Sequence, residues 1–240
     1  FYFCFTIIFC INRINLLEMK KKIAILGSTG SIGKTLLNII EKDKSNFEVV
    51  LLSANKNYTT LIKQAKRYNV KNLILTDSKT YKKISNRSAN SKYKIYNNFD
   101  CFKKIFKKKI HYSMSSITGL DGLKPTVDII KFTKKIAIAN KESIICGWNL
   151  IRRELKKNNT KFIPVDSEHF SIWSLLNNKF TYNIEKIIIT ASGGPFLNLP
   201  LSKFKKIKPK NAIKHPNWKM GNKISVDSST LMNKVFEVIE

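Results

Sequence analysis

Ile23-Ala24-Ile25-Leu26-Gly27-Ser28-Thr29-Gly30-Ser31-Ile32-Gly33, followed by Lys34 through Lys42, decides the fold of this chain. Four apolar residues make a short strand, the glycines punctuate a loop, and the stretch behind them reads as a helix. Glycine permits the tight turn and lets a phosphate approach the backbone amides at a helix N-terminus. Strand, glycine loop and helix in this order form a dinucleotide-binding fingerprint, and an open α/β fold follows from it.

Downstream, Phe47 to Leu52 reads as the second strand, Leu61 to Tyr68 as a helix and Leu73 to Thr76 as a third strand, completing βαβαβ. Ser28-Thr29 separates the first two glycines, as in many NADP-dependent reductases. The second strand ends in Ser53-Ala54-Asn55-Lys56-Asn57. An NAD site usually places an acid here for the ribose hydroxyls. Lys56 between two amides favours a 2′-phosphate instead, and so NADPH; the alternative is a solvated loop lysine. Residues 78–109 read as a charged helix and variable connections. Ile117 to Pro125 marks another strand, loop and helix junction, with Asp128 to Thr133 carrying the helix onward. Ile136 to Ala139 forms a buried strand ending at Asn140-Lys141-Glu142-Ser143. Polar residues at the carboxyl end of such a strand face the ligand crevice.

Pro164-Val165-Asp166-Ser167-Glu168-His169 follows the apolar pair Phe162-Ile163. Two carboxylates two positions apart point the same way on extended backbone and can reach one hard cation, which suits magnesium or manganese. The same residues also read as the cap and first turn of a helix over Phe170 to Leu176. Lys186 to Thr190 reads as a strand, and Ala191-Ser192-Gly193-Gly194-Pro195-Phe196 as either a phosphate nest or a plain turn. His215-Pro216-Asn217-Trp218-Lys219-Met220-Gly221 carries an indole fit for a core plug or for a lid. Asp227 to Thr230 reads as the cap of a final helix in which Asn233 and Glu237 share a face, Lys234 lies beside them, and Leu231, Val235 and Val238 form an apolar stripe.

The 240 residues carry a formal net charge of +28. Nearly all of the positive charge is lysine dispersed along the chain, which argues for compositional bias rather than a nucleic-acid surface. Cys4, Cys10, Cys101 and Cys146 have no zinc-type spacing and fit a reducing compartment. Residues 1–18 are apolar, short for a membrane span, and precede Met19; they read as an upstream or targeting-like stub outside the fold.

Six segments then stand in the order of one known family: 27–33, 139–143, 164–169, 191–196, 215–218 and 220–240. Through them the chain from Lys21 onward resembles the 1-deoxy-D-xylulose 5-phosphate reductoisomerases of the non-mevalonate isoprenoid pathway. The resemblance implies a Rossmann-like NADP-binding domain over 19–163 and an α+β catalytic domain over 164–240, incomplete at its C-terminus because family members continue into a helical domain. It implies that Thr29, Gly30, Ser31 and Ile32 hold the NADPH pyrophosphate, that Asn55, Lys56 and Asn57 hold its adenosine end, and that Asn140, Glu142 and Gly221 lie along it. Asp166, Glu168 and Glu237 would bind Mn2+ or Mg2+ and, with Lys141, carry the catalysis. Substrate would meet Lys141, Ser167, Glu168, Ser192, His215, Ser228, Asn233, Lys234 and Glu237, with Trp218 and Met220 on a flap. Asn55 and Val235 stand where the family carries glycine. The implied reaction is rearrangement and reduction of the ketose phosphate to 2-C-methyl-D-erythritol 4-phosphate. The partners implied are this small molecule and, in a full-length form, a second copy as a homodimer, with no nucleic acid and no membrane. The implied location is the bacterial cytoplasm, or a plastid-type organelle if the stub is a targeting sequence.

Overall fold

The computed structural model of the protein describes residues 20–85, 92–176, 184–214 and 221–240. Cα packing divides the chain into two compact units, Phe1–Phe170 and Ser171–Glu240. The Pro164–His169 segment therefore packs with the first unit, behind a strand that belongs to its sheet.

The first unit is a seven-stranded sheet in the order β4-β3-β2-β1-β5-β6-β7. Its strands are β1 (Lys21–Leu26), β2 (Phe47–Ala54), β3 (Asn72–Leu75), β4 (Lys94–Tyr96), β5 (Ile110–Ser115), β6 (Thr133–Ile138) and β7 (Lys161–Pro164). Every pairing is parallel. The helices between them are α1 (Ser31–Glu41), α2 (Tyr58–Arg67), α3 (Ser78–Ser85), α4 (Phe102–Ile105), α5 (Leu123–Ile130) and α6 (Lys141–Lys157), and α7 (Ser167–Leu176) follows β7. The strand order runs outward from β1 in both directions, so β1 and β5 flank the switch point where such sheets take ligands at their carboxyl ends.

A sheet covered on both faces needs apolar residues of both parities, and β1 has them. Ala24 and Leu26 enter one core cluster with Ile129, Ile136 and Ile151, while Ile23 and Ile25 enter another with Leu37, Leu61 and Leu73. In β2 the register slips: Ile23 faces Val49 but Ala24 faces Leu51. That bulge puts Val49 and Leu52 on one face and Leu51 on the other. Among the described residues no helix is long and apolar enough to cross a membrane.

Several expected boundaries move. The helix expected to run from the Ile117–Pro125 junction through Thr133 begins there, at Leu123, but ends at Ile130, because Thr133 is taken into the β5–β6 ladder opposite Ile110. β4 lies inside the stretch expected to be helix and connections, since a three-residue edge strand with partly exposed side chains carries little periodicity.

The second unit contains α8 (Pro209–Ala212), α9 (Asn222–Ser229), α10 (Met232–Ile239) and short 3-10 turns at Gly194–Phe196 and Leu201–Lys206. The strand expected at Lys186–Thr190 is irregular, with no ladder partner among the described residues. Asp227 to Ser229 do not cap a final helix; they close α9. Leu231 then turns through the left-handed region at φ 59° and starts α10 without a side-chain cap. The stripe of Leu231, Val235 and Val238 is exposed, and Glu237 on the polar face is the buried residue of α10.

Candidate active site

The loop between β1 and α1 is built by close packing. A Cβ on Gly33 would lie 2.5 Å from the Gly27 carbonyl oxygen and 2.6 Å from Ser28 Cα, so only glycine lets the first turn of α1 sit on the loop. Gly30 precedes the helix on extended backbone, and no side chain caps α1. Its first amides are thus left to an external acceptor. Thr29 and Ile32 are partly exposed, and Gly30 and Ser31 exposed.

Ser28 is fully buried. Its N–H donates to the Ser53 carbonyl at 2.9 Å, and the Gly27 N–H donates to Ser53 Oγ at 2.9 Å. Beyond Ser53, at the end of β2, Asn55, Lys56 and Asn57 are exposed. Asn57 also caps α2, its Oδ1 accepting from the Thr60 N–H at 3.1 Å.

At the end of β6, Asn140 is buried and its amide is used inside the protein. Nδ2 donates to the Ile117 carbonyl and, at 2.7 Å, to the Gly119 carbonyl, while Oδ1 accepts from the Ser143 N–H at 3.0 Å. Asn140 thereby caps α6 and pins the loop after β5. Lys141 and Glu142 open the first turn of α6. Lys141 Nζ lies 2.9 Å from Asp166 Oδ1, with 17% and 15% of the two side chains exposed. His169 Nδ1 lies 3.0 Å from Asp166 Oδ2, and Ser167 Oγ donates to Glu168 Oε2 at 2.6 Å. Asp166, two residues beyond β7, thus keeps a partly buried carboxylate balanced by a cation.

One carboxylate oxygen of Asp166 and one of Glu168 lie within 4.8 Å of each other. Oxygens bound to one magnesium ion at about 2.1 Å each stand no more than about 4.2 Å apart. A small side-chain adjustment therefore fits the pair to a hard divalent cation.

In the second unit, Ser192 Oγ and Ser228 Oγ are 3.4 Å apart, and the Gly194 N–H points at Ser192 Oγ from 3.4 Å. Gly193 and Gly194 both have positive φ, and a Cβ on Gly194 would lie 2.9 Å from Ser229 Cα. The paired glycines let this turn approach the end of α9. Gly221, exposed, precedes α9. On α10, Glu237 is only 3% exposed. It accepts from Asn233 Nδ2 at 2.5 Å and from Lys234 Nζ at 2.6 Å. His215, Trp218 and Met220 lie outside the described residues.

The chain matches two family models. Residues 23–147 match 1-deoxy-D-xylulose 5-phosphate reductoisomerase, and residues 162–240 match the 1-deoxy-D-xylulose 5-phosphate reductoisomerase C-terminal domain. The chain belongs to the 1-deoxy-D-xylulose 5-phosphate reductoisomerase family. A reductoisomerase of Pelagibacter ubique is 64% identical over 222 residues, which are 92% of this chain and 57% of that protein. One from a Wolbachia endosymbiont of Culex pipiens is 42% identical over 92% of this chain and 56% of its own length. The reductoisomerase of Zymomonas mobilis, solved with NADPH, superposes with a TM-score of 0.80 at 34% identity, over 92% of this chain and 57% of that one. Another, solved with NADPH, fosmidomycin and magnesium, gives 0.80 at 30% identity, over 91% and 57%. The chain spans a little over half the length of these reductoisomerases. Its α/β fold is theirs.

Sequence reasoning passed over Gln64, Ser53 and His169. Gln64 had a readable signal, a polar residue between Leu61 and Ala65 on the buried face of α2. His169 had none beyond its place in the 164–169 segment, and the pairing of Lys141 with Asp166 had none, because only the fold brings the ends of β6 and β7 side by side.

Proposed function

We propose that this chain carries the NADPH site and the divalent-metal site of a 1-deoxy-D-xylulose 5-phosphate reductoisomerase, converting that ketose phosphate to 2-C-methyl-D-erythritol 4-phosphate. The observation that carries the reading is the placement of two sites on one parallel sheet. The uncapped glycine loop follows β1 and the Asp166/Glu168 pair follows β7, both at carboxyl ends of strands.

In this reading the open amides of α1 take the pyrophosphate, with Thr29, Gly30, Ser31 and Ile32 around it. Lys56, between Asn55 and Asn57, answers a 2′-phosphate. Asn140 acts by holding the loop after β5, and Glu142 and Gly221 lie along the cofactor. Asp166 and Glu168 offer oxygens to the cation, and Glu237 is assigned as the third ligand. When bound, the cation supplies Lewis-acid stabilisation of oxyanions as a carbon–carbon bond breaks and another forms, and NADPH supplies the hydride. Rearrangement conserves every atom of the substrate; reduction of the resulting aldehyde adds that hydride at carbon and a solvent proton at oxygen. Lys141, paired with Asp166, is assigned to exchange that partner for a substrate oxygen, and Ser167, whose hydroxyl donates to Glu168, is assigned to the substrate as well. Ser192, Ser228, Asn233, Lys234 and His215 are assigned to the sugar phosphate, whose binding energy orders the site around the reacting carbons. Trp218 is assigned to a flap, as the family resemblance implies. The full-length form is assigned as a homodimer.

The test is NADPH oxidation by near-ultraviolet absorbance, with the ketose phosphate and Mn2+, on this chain and on one extended to its relatives' length. Substrate- and metal-dependent oxidation by the longer form is expected. A folded longer form that binds NADPH yet shows no such oxidation sinks the reading.

A further inference from the structure

Gln64 is the one polar side chain among the buried residues of α2, whose other inward residues are Leu61 and Ala65. It is 9% exposed, and both ends of its amide are spent on a single residue of the glycine loop. Gln64 Nε2 donates to the Ser28 carbonyl at 2.8 Å, and Ser28 Oγ donates to Gln64 Oε1 at 2.8 Å. The orientation of the amide is forced, because a carbonyl can only accept and so must face Nε2.

This two-point contact has a geometric consequence for the peptide between Ser28 and Thr29. In a planar trans peptide the C=O and the following N–H point in opposite directions. Fixing the Ser28 carbonyl toward Gln64 therefore turns the Thr29 N–H away from Gln64, just ahead of the uncapped start of α1. Ser53 holds the same loop from the strand side through the Ser28 and Gly27 amides, and Ser28 Oγ also lies 3.2 Å from the Ser53 carbonyl. Without Gln64 the buried Ser28 carbonyl would lose this partner, and a rotation of the 28–29 peptide would relieve it. That rotation would swing the Thr29 amide away from an incoming phosphate.

We infer that Gln64 is a positioning residue for the cofactor: by clamping Ser28 it presets the Thr29 amide for a dinucleotide pyrophosphate, from a helix that the glycine fingerprint does not include. The inference rests on the NADPH reading above. It predicts a split between ligands that loss of structure alone would not produce. NADPH engages the pyrophosphate loop, whereas 2′-AMP carries only the adenosine and 2′-phosphate end.

Both affinities are measured by titration calorimetry on the 240-residue chain and on two variants, with melting followed in parallel. Gln64→Leu keeps a side chain of comparable bulk, one atom shorter, without hydrogen bonds and is expected to weaken NADPH about tenfold, the worth of a buried hydrogen bond to a neutral group, leaving 2′-AMP within about twofold. Ser28→Ala keeps the carbonyl bond and is expected to lose about threefold for NADPH alone; it decides the matter if Gln64→Leu does not fold. Unchanged NADPH affinity in a folded Gln64→Leu, an equal loss for both ligands, or an unchanged Ser28→Ala where Gln64→Leu cannot be read, overturns the positioning role. A wild-type chain that binds neither ligand removes the NADPH reading itself, and this inference with it. A chain that binds both but shows no split removes the inference only.

Discussion

In the first unit Leu51, Leu52, Leu73, Ile74 and Ile129 have no exposed surface and fill two clusters on opposite faces of one sheet; in the second, Ile188 is 74% and Val238 71% exposed. The sheet is held from within by area removed from water. The described helices α9 and α10 of the second unit carry short polar links within themselves. Lys223 pairs with Asp227 at 2.7 Å, Ser229 Oγ donates to the Val226 carbonyl at 2.8 Å, and Asn233 and Lys234 converge on Glu237. The difference teaches where each kind of residue can be altered. In the sheet a lost methyl group is expected to be felt as stability, and on α10 a lost charge as function.

Glu237→Gln is the sharpest probe of that division. It keeps the shape of a buried side chain and an oxygen for Asn233, and removes the charge that Lys234 and the assigned cation both need. In an active form of the protein turnover is expected to fall by on the order of 10³-fold, the scale of several kcal/mol that such stabilisation supplies. NADPH affinity, which the proposed reading rests mainly on the glycine loop after β1, is expected to stay within about twofold. Turnover that survives with its metal dependence intact would remove Glu237 from the ligand set.

The same contrast can be broken from the stability side by urea unfolding. Leu51→Ala is expected to cost about 2–5 kcal/mol, as for a fully enclosed leucine. Val238→Ala, on an exposed face, is expected to stay within about 0.5 kcal/mol. Comparable losses would mean that the outer face of α10 is covered in solution, and the contrast between the units would not hold.

That contrast also explains which parts of the molecule could be read in advance. The β1 loop, β2, α2 and β3 were legible because a doubly covered parallel sheet writes itself as apolar runs between glycine and polar turns. The Ile187-Ile188-Ile189 run carries the same local signal, yet a strand exists only where a partner ladder does, and none is present among the described residues. On α10 the apolar stripe marks the exposed side, because a buried acid with a lysine and an amide beside it displaced the usual rule. The Asp166/Glu168 pair was expected on extended backbone, yet Glu168 stands in the first turn of α7, so the strand-to-helix turn rather than a two-residue strand spacing brings the two carboxylates near each other. The pairing of Asp166 with Lys141 could not be read, since that depends on β6 and β7 being neighbours.

The smallest effect lies inside the sheet and comes from His111, on β5. Its Nδ1 accepts the backbone N–H of Lys22, on β1, at 2.9 Å, which requires that nitrogen to be unprotonated. Burial pushes its pKa below 6.5, and the nearby Lys134, Lys21 and Lys22 push it the same way. A base whose folded pKa is depressed binds protons more readily when unfolded, so stability rises with pH across the interval between the two values. The contribution is complete above the ordinary value of 6.5 and is lost as pH falls through the lower folded value. The melting temperature is therefore expected to drop by a few degrees between about pH 7.5 and pH 5 in the wild type. His111→Gln should flatten that drop, because the glutamine oxygen can accept the same N–H without titrating. The loss should register in amide exchange at β1 and β5 and leave α9 and α10 unmoved, since their described residues include no histidine. An equal acid response in wild type and variant would place the sensitive group elsewhere and deny this strand pair its part in it.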